Sequence, residues 1–284
     1  MFMEKTKRYR LLLLIPLILL AGSTGLLALN FAQTGEWFER SIQLRGGMLI
    51  TLNIEERISS AEAKDMLGEF GELSVRELSG VSGYGLLIEA DADADSGAII
   101  QELENSGAVV TASSVETIGS ALGEAFWSQS QLGIIIAFVL MGAIVFGIFR
   151  TVVPSFAVML AAASDIVITL SFMQVFGIEL SLASLAAVLM LIGYSIDTDI
   201  LLTSRLIRTR DEPLDTRIRK AFKTGITITG TTIGVLISIV IFGASFVLTQ
   251  IASVLLIGLC VDIVNTWLQN AVLLKWHCER RGLE

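Results

Sequence analysis

Six runs of apolar residues dominate the chain, at about 11–29, 129–149, 153–175, 180–204, 225–246 and 248–276. Each is close to or beyond the ~20 residues a helix needs to cross a hydrocarbon core of about 30 Å. In lipid, backbone polar groups must be satisfied within the segment, so runs of this kind are helices. The composition agrees. Of 284 residues, 53% are apolar and only 17% charged, and the mean hydropathy is +0.72; a soluble domain carries about 25% charged residues. The sequence predicts a polytopic α-helical membrane protein with six transmembrane helices. Lys5, Lys7, Arg8 and Arg10 precede the first run, and no clear Ala-x-Ala site follows it. It reads as an uncleaved first helix rather than a signal peptide.

Residues 30–128 differ in kind, being polar, acidic and alternating. A strand is expected at 48–54, a helix at 59–70 capped by Ser59 or Ser60 with Glu62 in its first turn, and strands at 73–78 and 84–90 around a Gly-rich turn at 79–83. A second helix at 96–106, stopped by Gly107, and a strand at 108–115 complete the series. The order β-α-β-β-α-β predicts a ferredoxin-like α+β domain between helices 1 and 2. The predicted organisation is thus 1–29 for the N-terminus and first helix, 30–128 for the inserted domain, 129–276 for helices 2–6 and 277–284 for the C-terminus.

Lys and Arg in the short connections predict orientation. They occur at the N-terminus, at Arg150, between Arg205 and Lys223, and at Lys275, Arg280 and Arg281, whereas connections 176–179 and 243–249 have none. With six spans all the basic segments fall on one side, the cytoplasmic one, and both termini join them. The inserted domain is then extracytoplasmic. It carries five basic residues against seventeen acidic ones.

Ionisable residues inside such spans cost on the order of 3 kcal/mol or more at the bilayer centre. Asp165, Asp197, Asp199 and Asp262 all fall within apolar runs, which makes them proton-path candidates. Asp197 and Asp199 are about 200° apart on a helical wheel. Asp197 shares a face with Gly193, Leu201 and Ser204; Asp199 shares one with Ser195, Thr203 and Leu206. The fourth helix should therefore be central, with protein on both sides, part of it from another chain. Asp197 is expected to carry the proton and Asp199 to act as a structural partner at the subunit seam. Thr224, Thr227, Thr231, Gly234 and Ser238 form a small-residue seam on the fifth helix. Gly258, Asp262, Asn265, Thr266 and Gln269 form a polar stripe on the sixth. Interhelical hydrogen bonding, worth about 0.6–2 kcal/mol per contact, is the bland reading of these stripes.

No catalytic constellation, metal set, nucleotide-binding loop or cofactor motif competes. Cys260 and Cys278 would lie about 27 Å apart on one helix, too far for a disulfide. His277 has no ligand partners at useful spacing. The residues alone point to an ion or proton pathway in a membrane bundle that another chain completes; a stand-alone proton-driven exporter of lipids or small molecules and a membrane scaffold are the other readings.

Several motifs resemble the SecD/SecF family of Sec protein-export subunits, in particular the archaeal SecF type. They are Arg45-Gly-Gly47, Ile118-Gly-Ser-Ala-Leu-Gly123, Ser164-Asp-Ile-Val-Ile168, Gly193-Tyr-Ser-Ile-Asp-Thr-Asp-Ile200 and Thr229-Gly230-Thr231-Thr-Ile233. The resemblance spans nearly the whole chain. It implies half of a resistance-nodulation-division type transporter core, SecD as partner, cooperation with the SecY translocon on exported polypeptide chains, and use of the proton motive force. Gly193, Ser195, Thr227, Gly230, Thr231 and Asn265 are the candidates for helix packing or a polar seam. Bacterial members carry an Arg just ahead of the Gly-Thr-Thr element; here that neighbourhood reads Lys223-Thr224.

Overall fold

A computed structural model describes residues 7–71, 73–80, 83–209, 211–242 and 245–282. Lys5, Arg210 and parts of the predicted turns at 79–83 and 243–249 lie outside them. Six helices among the described residues are long and apolar enough to cross a membrane. A 3₁₀ turn, Lys7–Leu13, leads into α1 (Leu14–Thr34). A four-residue helix α2 (Ile42–Arg45), not expected from the sequence, precedes the inserted domain.

That domain contains β1 (Gly47–Ile54), α3 (Ser60–Met66), β2 (Ser74–Gly80), β3 (Gly83–Ala90), α4 (Ser96–Asn105) and β4 (Val110–Ile118). The sheet order is β2-β3-β1-β4 with every pair antiparallel, the split βαβ arrangement. Alternation does the sorting. Met48, Ile50, Leu52 and Ile54 on β1 and Leu86 and Ile88 on β3 point to one face, where Leu67, Ile99 and Leu103 cover them. Ser59 and Asp95 cap α3 and α4 by accepting main-chain N–H bonds. Arg76 on β2 and Glu89 on β3 are out of phase with the core residues Val75 and Ile88, so they stand on the opposite face of the sheet.

The remaining spans are α5 (Ser120–Phe149), α6 (Val152–Val175), α7 (Leu182–Arg208), α8 (Leu214–Phe242) and α9 (Phe246–Val264). A π-helical turn, Asn265–Asn270, joins α9 to α10 (Ala271–Arg281). Several boundaries differ from expectation. α1 runs five residues beyond 29, α5 starts nine residues before 129, and α8 starts eleven before 225. In each case hydropathy stops at the polar turns of a helix, whereas backbone hydrogen bonding does not. The α5 extension has a packing reason. Its Gly123 sits on the backbone of α2, where a Cβ would lie 2.5 Å from Gly46 N. Gly46 itself, at φ +87°, leaves no room for a Cβ beside Ser120. The inserted domain is thereby keyed to the base of the second span.

Burial ranks the spans. The most apolar windows of α6, α7 and α9–α10 are 56%, 50% and 44% buried, against 17% for α1, α5 and α8. The first three form the axis of the bundle and the others flank it. α7 and α9 approach closely because Gly258 faces Leu191, whose methyl would lie 2.5 Å from an added Cβ. At one end of the bundle Arg217 is buried, donating to the carbonyls of Leu206 and Glu212, which satisfies the free end of α7. Lys275 pairs with Asp215 at 2.5 Å beside it.

Candidate functional site

Three carboxylates converge where α6, α7 and α9 meet, and all three are buried. Asp165 on α6 accepts from Ser195 Oγ at 2.6 Å and Asn265 Nδ2 at 2.8 Å. Asp199 on α7 accepts through Oδ1 from Asn270 Nδ2 at 2.7 Å and Thr266 Oγ1 at 3.0 Å; its Oδ2 has no partner among the described residues. Asp262 on α9 lies 3.0 Å from the same Thr266 hydroxyl and 3.2 Å from Thr198 Oγ1. Gln269 donates to Ser164 next door. Hydroxyls and amides make these bonds; none of the ion pairs among the described residues includes a member of the set.

One broad face of the last span supplies these groups. At 3.6 residues per turn, residues i, i+1, i+4 and i+5 fall within about 140° of one another, so two successive adjacent pairs share a face. Asn265 with Thr266, and Gln269 with Asn270, are all at most 1% exposed, and the π turn lies along this buried face.

Hydrogen-bond arithmetic sets what the cluster can do. A hydroxyl has one proton. Thr266 Oγ1 is equally near two carboxyl oxygens, so it donates to one and turns a lone pair to the other. The second contact is favourable only when that carboxyl carries a proton. Thr198 Oγ1 repeats the case, standing 2.8 Å from the Ser195 carbonyl and 3.2 Å from Asp262 Oδ2. The geometry is thus satisfied by a set that holds a proton and can pass it from one carboxyl to another through a hydroxyl.

The structure divides the expected residues. Asp165, Asp199, Asp262, Ser195 and Asn265 come together. Asp197 does not: it is exposed, as are its neighbours Gly193 and Tyr194. The placement expected for the two fourth-helix aspartates is therefore reversed, with Asp199 in the interior and Asp197 on the open face. The wheel separates the faces but cannot say which one α6 and α9 cover. Thr227, Gly230 and Thr231 on α8 are exposed too, and Lys223 is exposed and outside the cluster. Thr198 and Asn270 were not anticipated. Thr198 sits between two carboxylates and reads as spacing. Asn270 continues the stripe four residues after Thr266, a spacing that could have found it.

With fold and geometry known, the relatives are informative. The SecD/SecF protein-export membrane protein family, C-terminal region, matches residues 98–280. The protein-export membrane protein SecF of Pyrococcus furiosus is 37% identical over 271 residues, 95% of this chain and 91% of that one. The SecF of Methanolacinia petrolearia is 39% identical over 272 residues, covering 94% and 93%. The chain belongs to the SecF family. Among solved structures this SecF-family chain resembles SecDF of Thermus thermophilus, described as a translocon-associated membrane protein, with a TM-score of 0.78 at 24% identity. The match covers 96% of this chain but 38% of that one, so the likeness is one of fold and the chain spans well under half of its neighbour.

Proposed function

We propose that this SecF-family chain is an accessory subunit of the Sec export machinery, paired with a SecD-type six-helix partner and driven by the proton motive force. The observation that carries the reading is Thr266 Oγ1 poised between Asp199 and Asp262 inside the bundle of apolar spans. Ionised carboxylates there cost several kcal/mol, and the cost falls when a proton is taken up. Because the three carboxyls sit on three different helices, each protonation state favours a different packing of α6, α7 and α9. That is the coupling element a proton-driven machine needs.

A partner follows from the open faces. Gly193 and Asp197 on α7, and Thr227, Gly230, Thr231 and Gly234 on α8, are uncovered. Small residues and an aspartate suit a helix interface better than lipid. The SecDF neighbour, much longer than this chain, supports a SecD-type occupant. The Lys and Arg distribution favours cytoplasmic termini and an extracytoplasmic inserted domain, residues 35–119 between the helix ends, where SecY and emerging polypeptide chains would be met.

The test uses proteoliposomes containing the translocon and the purified pair. Asp199→Asn and Asp262→Asn should each abolish the stimulation of export by an imposed proton gradient while sparing gradient-independent export. Unchanged stimulation in both variants overturns proton coupling. Purification of the tagged chain without a second polytopic chain overturns the partnership.

A further inference from the structure

Away from the carboxylate cluster, a second buried charge group lies where the inserted domain meets the membrane bundle. Glu179 is in the loop between α6 and α7 and is 9% exposed. Arg76 Nη2 donates both to its Oε2, at 2.9 Å, and to Glu89 Oε1, at 2.6 Å. Glu89, at 2% exposure, also accepts from Arg45 Nη2 at 3.3 Å. Two carboxylates thus share one guanidinium nitrogen across the seam, and Arg76 Nε is buried without a partner among the described residues. The charged groups facing Glu179 are Arg76 from β2, Glu89 from β3 and Arg45 near the end of α2. The other contacts are neutral: Ser184 of α7 and Gln250 of α9 hold its carbonyl. The surrounding joint is main-chain, with Ser41 N–H donating to Leu180 O and Leu180 N–H to Glu39 O, while Leu182 N–H donates to Gln43 Oε1.

We propose that Glu179 is a proton lock on this joint, holding the inserted domain against the α6–α7 loop when protonated and loosening it when ionised. Protonated, its O–H donates to the Glu89 carboxylate within reach. Arg76 and Arg45 are then left to a single anion. Ionised, two buried carboxylates compete for Arg76, and Glu179 gains by hydration, which requires the joint to open. Of the pair Glu179 is the one to protonate, because Glu89 holds both arginines. Burial, partly offset by Arg76 and reinforced by Glu89, raises the Glu179 carboxyl to about 7.

The sign follows from linkage. The closed joint binds the proton more tightly than an open, hydrated Glu179 does. Closure is therefore strongest below the ordinary carboxylate range and declines as pH rises through about 7. This lock goes beyond the proton path in the bundle and does not rest on it.

Hydrogen exchange read by mass spectrometry on the full chain with its partner in nanodiscs tests the lock. The reporters are the amides of Ser41, Leu180 and Leu182, corrected for intrinsic rates. Their protection should fall roughly tenfold between about pH 6 and pH 8.5, the factor linkage gives for that shift. Glu179→Gln should remain protected throughout, and Glu89→Gln should reduce the fall to under about threefold by removing the competing anion. Wild-type protection that is flat or rises with pH overturns the lock, as does an unaltered fall in Glu179→Gln. Should Glu179→Gln fail to fold, the wild-type profile and Glu89→Gln decide. Asp199→Asn should retain the fall with pH, whatever the overall level of protection, which separates failure here from failure of the proton path.

Discussion

One hydroxyl proton is the smallest part on which the proposed function turns. Thr266 gives Asp199 and Asp262 a common partner, so its removal should be felt at both. Thr266→Val keeps the shape and deletes the donor. It should lower stability by about 1–3 kcal/mol, read as a fall in melting temperature, and suppress gradient-stimulated export; Thr266→Ser should restore both. Arg217 is a second residue with a defined task. Its buried guanidinium holds two carbonyls at once, which the compact Lys ammonium cannot reproduce. The sequence displayed it as one more positive residue in a basic loop, because charge patterning carries no information about burial.

At the scale of the element, the π turn is the unusual part. Asn265–Asn270 interrupts the last span along its buried face. Deleting Leu268, partly exposed within the turn, should restore a regular helix without rotating α10, because the six residues of the π turn advance about as far around the axis as five in an α-helix. Lys275 should keep Asp215 and Glu279 should keep Tyr9. The expected outcome is a protein that inserts and whose C-terminal helix resists limited proteolysis as the parent's does; faster cleavage there would show that α10 had lost its phase. The polar stripe on this helix was readable at 3.6-residue spacing as far as Gln269. Asn270 continues it, four residues after Thr266, whereas the π turn itself arises from tertiary packing and has no pattern of its own in the chain.

For the whole molecule, the uneven burial of the helices matters most. α6, α7 and α9–α10 form an axis, while α7 and α8 leave small and polar residues uncovered. Gly230→Leu on α8 should block close approach of a partner helix and lower co-purification of the second polytopic chain at least several-fold. Val139→Ala on the exposed apolar face of α5 should leave it unchanged. Retention of the partner by Gly230→Leu would remove α8 from the interface.

Six spans, the inserted βαββαβ domain and a surplus of carboxylates in apolar segments could all be read from the chain. These follow from hydropathy, alternation and turn chemistry, which are local. Only the tertiary structure decided that Asp199 faces inward and Asp197 outward, because helical spacing fixes angles between residues but not the direction of a neighbouring helix. Only it joined Glu179 to Arg76 and Glu89, residues about a hundred positions apart whose meeting depends on how the sheet sits on the bundle.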